Sequence, residues 1–171
     1  NIMVLKGQLS SLVWSLALVT LLIYLIFRNV RLTLVGLIPL GLGITMNFGV
    51  MGFLGIPLNA ATALVAAISI GMGIDYSVHF INQFRASIRD RGDVEAAIAE
   101  TYEGTGRAIL SNVASVSVGF MVLLFSRFPI IQQCGGLIAF TVFITGVGAI
   151  IMIPAAFRIT GYGKQSRNEA K

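Results

Sequence analysis

Leu58–Ile81 reads LNAATALVAAISIGMGIDYSVHFI, an apolar run broken by a single carboxylate, Asp75, with no polar neighbourhood to solvate it. The run is longer than the roughly 20 residues a helix needs to cross a hydrocarbon core about 30 Å thick. An ionised carboxylate held at the centre of such a helix costs about 3 kcal/mol or more, so it faces a bundle interior or a wet cavity and marks a functional site by default.

Working outward, the stretches Leu9–Phe27, Leu32–Leu54, Ala108–Phe125 and Gly135–Phe157 are also long and apolar enough to span a bilayer. Of 171 residues, 56% are hydrophobic and 11% charged, where a soluble domain carries about a quarter charged residues. These features predict an all-α membrane protein with five transmembrane helices, over about 8–28, 32–54, 58–84, 106–127 and 133–158. Pro39, with Gly36, Gly41 and Gly43 around it, predicts a kink in the second span, and the fifth is expected to end near Pro154. Between the third and fourth spans, Val94, Ala97, Ile98 and Tyr102 recur at helical spacing, with Asp93, Glu95, Glu100 and Glu103 on the other faces. This predicts an amphipathic helix over about 92–103 on the cytoplasmic surface, capped by Asp93 and ending in a joint at Gly104 and Gly106. The polar residues 161–171 are expected to be a disordered cytoplasmic tail.

The net charge of +5 raises nucleic acid as a partner, but the placement of the cations excludes it. Threading five spans puts Arg28, Arg31, Arg85, Arg89, Arg91, Arg107, Arg158, Lys164, Arg167 and Lys171 on one side and Lys6 and Arg127 on the other. The positive-inside rule makes the first side cytoplasmic, with the amino terminus external and the carboxyl terminus internal. No secretory signal pattern precedes the first span, and the odd helix count after Asn1 leads us to expect a piece of a longer protein. A lone Cys134 and a lone His79 predict neither a disulfide nor a metal site, and no cofactor is expected.

On a helix, Ala67, Gly71, Met72, Val78, His79 and Asn82 share the face of Asp75. Ten residues separate Asp75 from Arg85 at the boundary, a rise of roughly 15 Å, which places the carboxyl near the midplane. Desolvation favours its neutral form and a cation or donor its charged form, so a site that alternates between dry and wet binds and releases a proton. Asp75 is therefore the expected proton carrier, against the alternative of a permanently neutral, hydrogen-bonded structural acid. Tyr76 lies about 100° away and is suited to meet an opposing helix, as a relay member or as a packing aromatic. His79 fits a relay and equally a structural imidazole. Ser111, Asn112 and Ser115 are candidate relay partners across a helix interface, or plain interhelical glue. Gly71 and Gly73 are the expected helix-packing positions.

The segment Gly71–Ser77, the basic amphipathic connector, Thr105-Gly106-Arg107-Ala108-Ile109, Gly119-Phe120 and the closing Ile153-Pro154-Ala155 resemble the resistance-nodulation-division (RND) superfamily. The branch most similar is that of mycobacterial membrane protein large, the hopanoid and sterol exporters, and Patched. The resemblance implies one half of a pseudo-symmetric bundle, matching spans eight to twelve, with aspartate and tyrosine of the two halves forming a proton relay; it assigns that role to Asp75 and Tyr76. No lysine lies within any span and no Val-Asp-Ala-Asn sequence occurs here, which separates the chain from the drug-efflux and protein-secretion branches. The expected function is the membrane part of a proton-motive-force-driven exporter of lipids or other hydrophobic molecules in the bacterial inner membrane, and not an enzyme. The alternative is a sterol- or lipid-sensing module that regulates a partner without pumping. Expected partners are protons, membrane lipids, a hydrophobic substrate, and either an N-terminal half with its external porter domain or a second copy of the chain.

Overall fold

The computed structural model describes residues 2–160. The tail over 161–171, with Lys164, Arg167 and Lys171, lies outside the described residues. All regular structure among the described residues is helical: α1 (Ile2–Phe27), α2 (Val30–Leu54), α3 (Ala60–Arg91), α4 (Val94–Thr101), a π turn (Tyr102–Gly106), α5 (Arg107–Met121), a 3₁₀ turn (Val122–Phe125) and α6 (Pro129–Thr160). Five helical segments are long and apolar enough to cross a membrane, Ser10–Phe27, Val30–Leu54, Ala61–Arg91, Val94–Phe125 and Pro129–Ile159. This is an all-α, multi-pass membrane protein.

Local chemistry fixes the helix ends. Asn29 caps α2, its side-chain oxygen accepting from the amides of Arg31 at 2.9 Å and Leu32 at 3.4 Å. Asn59 and Thr62 form a reciprocal capping box at the start of α3, and Asp93 caps α4 by accepting from the Ala96 amide at 3.0 Å. Helices α2 and α3 both stop at a left-handed glycine, Gly55 with φ 66° and Gly92 with φ 68°, a backbone shape that costs glycine nothing.

Helix α6 is the centre of the bundle, packed against α2, α3 and α5. Small residues allow the close approach: a Cβ on Gly43 of α2 would collide with the Thr145 methyl, and one on Gly73 of α3 would sit 3.2 Å from that same methyl. Between membrane helices, where lipid tails are as apolar as leucine, such close backbone contact is a main source of association. Towards the Arg158 end, Phe84 of α3 stacks on Phe157 of α6 with ring centroids 4.2 Å apart.

Two sequence expectations are corrected. The joint at Gly104 and Gly106 is instead a π turn that joins α4 to α5, so the two form one uninterrupted helical path. Tyr102 covers Gly106, where a Cβ would lie 3.4 Å from the tyrosine ring. The second is that Pro154 does not end α6, which runs on to Thr160, close to the bound of 158 given for the fifth span. Proline removes the amide that would bond the carbonyl four residues earlier, here that of Ile150, and the Tyr102 hydroxyl donates to that oxygen at 2.8 Å. A side chain from the π turn thus replaces the missing donor. Helix α4 turns back along α3 with Ala97, Ile98 and Thr101 buried, and carries exposed ion pairs from Glu100 to Arg91 at 3.2 Å and from Glu95 to Arg158 at 2.6 Å.

Candidate functional site

Helix α3 has two chemically distinct faces. Ser69, Gly73, Tyr76, Ser77, Phe80 and Phe84 are buried against the rest of the bundle. Leu64, Ala67, Gly71, Asp75, His79 and Asn82 are exposed, spaced three or four residues apart and therefore a single stripe. No hydrogen bond or ion pair engages Asp75 among the described residues. One helical step away, Tyr76 is only 4% exposed. Its ring lies over Gly146 of α6, where a Cβ would sit 3.5 Å from Tyr76 Cδ2 and collide with Val113 of α5. The adjacent carboxyl and phenol thus point to different surroundings, one outward and one into the meeting of α3, α5 and α6.

The other expected site residues divide in the same way. His79 shares the exposed stripe with Asp75. Ser111, Asn112 and Ser115 do not reach Asp75 within this chain; all three are exposed, because α5 turns Ile109, Val113 and Ser117 inward instead. Gly73 is a packing position against Thr145 and Leu40, whereas a Cβ on Gly71 would meet nothing within 4 Å. Gly71 therefore belongs to the open stripe and does no packing in this chain. Sequence reasoning missed the polar groups that do tie helices together: Ser117 donates to the Ala139 carbonyl at 3.3 Å, and the Asn47 amide donates to Thr141 at 2.7 Å. Their signal was position alone, one turn from residues on the packed faces. Among the described residues, no group of three or more His, Cys, Asp or Glu could hold a metal ion.

What remains is exposed surface of small and polar residues within the membrane-spanning segments, Gly71, Asp75, His79 and Asn82 on α3 and, on α5, Asn112, Ser115 and Gly119. Hydrocarbon is a poor solvent for it.

Residues 4–171 match the model of the MMPL family. The chain belongs to the MMPL family. It is 30% identical over 138 residues to the membrane protein MJ1562 of Methanocaldococcus jannaschii, covering 81% of this chain and 35% of that protein. It is 23% identical over 157 residues to the sulfolipid-1 exporter MmpL8 of Mycobacterium tuberculosis, covering 89% of this chain and 14% of the relative. This MMPL chain thus spans about a third of the first relative's length and about a seventh of the second's.

Proposed function

We propose that this MMPL chain is the membrane part of a proton-motive-force-driven exporter of lipids or other hydrophobic molecules, with Asp75 as the proton carrier. The observation that carries the reading is the exposure of Asp75 on a stripe of small and polar residues within an otherwise apolar helix. A carboxyl group cannot rest in lipid at low cost, so the stripe faces a further protein surface or a hydrated cavity. That surface is either another half of the same protein, accompanied by an external porter domain, or a second copy of this chain. The exposed hydroxyls and amide of Ser111, Asn112 and Ser115 and the imidazole of His79 lie on the surfaces such a partner would cover. A second copy would present its own Ser111, Asn112, Ser115 and His79 to Asp75 across that interface, whereas another half would complete the relay with polar groups of its own. Tyr76 then supports the site from behind, orienting the helix through Gly146. In this reading the arginine-rich ends face the cytoplasm of a bacterial inner membrane, and the amino terminus is external.

The family relationship supports a hydrophobic cargo, since one relative is named a sulfolipid-1 exporter. The test is Asp75→Asn in the full-length protein, reconstituted in vesicles with an imposed pH gradient. Because Asp75 makes no hydrogen bond or ion pair among the described residues, the variant is expected to fold while gradient-dependent export is lost. Export at the wild-type rate contradicts the proposal. A second reading, a lipid-sensing module, draws on the apolar groove of about 640 Å³ between α1 and α2, lined by residues including Leu16, Leu21, Tyr24 and Leu34; it predicts that Asp75→Asn leaves lipid affinity and partner regulation intact.

A further inference from the structure

We infer that a polar layer inside the bundle, formed by Asn47 of α2, Ser69 of α3 and Thr141 of α6, is a binding site for one ordered water molecule. The layer follows from helix direction. Helices α3 and α6 run parallel, since Gly73 lies against Thr145 and Phe84 against Phe157. Helix α2 runs antiparallel to α6, since Pro39 lies near Gly148, Gly43 against Thr145 and Asn47 against Thr141. From the tight Gly43–Thr145–Gly73 contact, one helical turn in the same spatial direction therefore reaches Asn47, Thr141 and Ser69 together, because side chains four apart share a face.

All three are buried, at 4%, 1% and 2% exposure for Asn47, Thr141 and Ser69. Thr141 is satisfied: it accepts from the Asn47 amide at 2.7 Å and donates to the Leu137 carbonyl at 2.7 Å. Asn47 Oδ1 and Ser69 Oγ are buried without a hydrogen-bond partner among the described residues. Unpaired polar groups are costly when buried in the core of a membrane-spanning bundle. The free acceptor on Asn47 and the hydroxyl on Ser69 are complementary to water, which can donate to the first and pair with the second in either sense. Buried waters occur at such places, where two to four polar partners meet in a small space. A metal cation fits poorly, because two neutral side-chain oxygens fall well short of the roughly six oxygens that hard cations take. The site stands on the packed side of α3, away from the exposed Asp75 stripe, and fastens α2, α3 and α6 to one another.

The test is a structure of the full-length protein at a resolution that shows ordered water. The expected result is a peak within hydrogen-bond distance of both Asn47 Oδ1 and Ser69 Oγ, lost in Ser69→Ala. Direct Ser69–Asn47 contact, or a dry gap, overturns the inference. A second measurement keeps the inference refutable if crystals or particles are poor: thermal midpoints of Asn47→Leu, Ser69→Ala and the double variant. A shared water makes the pair non-additive, the double variant losing clearly less than the sum of the single losses; additive losses contradict it. A midpoint that rises with added sodium or potassium also counts against water and for a cation.

Discussion

The Tyr102 hydroxyl donates to the Ile150 carbonyl at 2.8 Å, the oxygen that Pro154 leaves without its helical donor. The π turn that carries Tyr102 and the proline that α6 passes through are therefore parts of one arrangement, since the first supplies what the second removes. Tyr102 also meets Phe80 edge to face, with ring centroids 5.8 Å apart, so the same side chain braces α3.

Tyr102→Phe keeps that ring contact and deletes the donor. It is expected to lower stability by about 1–2 kcal/mol, the cost of leaving a largely buried carbonyl unpaired. The check is the thermal midpoint of the full-length protein in detergent. If Pro154→Ala is added, the Ile150 carbonyl regains a backbone donor and the penalty for losing the tyrosine hydroxyl shrinks. An undiminished penalty contradicts the pairing of the two features.

Gly146 and Gly71 are expected to respond oppositely to added bulk. Gly146→Val places atoms where Val113 already sits and presses on Tyr76; overpacking of this kind costs about 1–3 kcal/mol, read as loss of folded protein on size-exclusion chromatography. Gly71→Val has open space in this chain, so the packing among α2, α3, α5 and α6 is expected to be undisturbed. On the proposed transport function it is expected to lose export, because Gly71 sits beside Asp75 on the surface assigned to a partner. Equal tolerance at both positions contradicts the two-faced description of α3.

Much of this fold is legible in residue order, and the limits have physical causes. The helical period of 3.6 is enough by itself to place Gly71, Asp75, His79 and Asn82 on one stripe, and Asp93 stands where a cap is needed. Periodicity cannot say which face meets which neighbour, because in a membrane both faces are apolar. The central place of α6 therefore has no one-dimensional signature, and neither does the inward turn of Ser117 in place of Ser111 or Ser115. Gly104, Gly106 and Pro154 look like breaks because their intrinsic preferences are read locally; at Pro154, Tyr102, far away in sequence from Ile150, supplies the bond that replaces the lost donor.

The cap on α3 offers a local control. Asn59→Ala removes the acceptor for the amides of Ala61 and Thr62, at 2.9 and 3.0 Å. The expected cost is about 1 kcal/mol, with export per folded molecule unchanged, since the substitution lies far along α3 from Asp75. A selective loss of export without loss of stability contradicts a purely capping role.

Protonation of Asp75 itself is the quantity on which the transport account turns. Infrared difference spectroscopy on the full-length protein in lipid nanodiscs, comparing wild type with Asp75→Asn as pH is stepped, reads the carboxyl stretch directly. The account predicts a protonated-carboxyl band that appears and disappears with pH, is absent from Asp75→Asn, and shifts when hydrophobic substrate is added. A carboxyl that keeps one protonation state throughout, with export undisturbed, contradicts it.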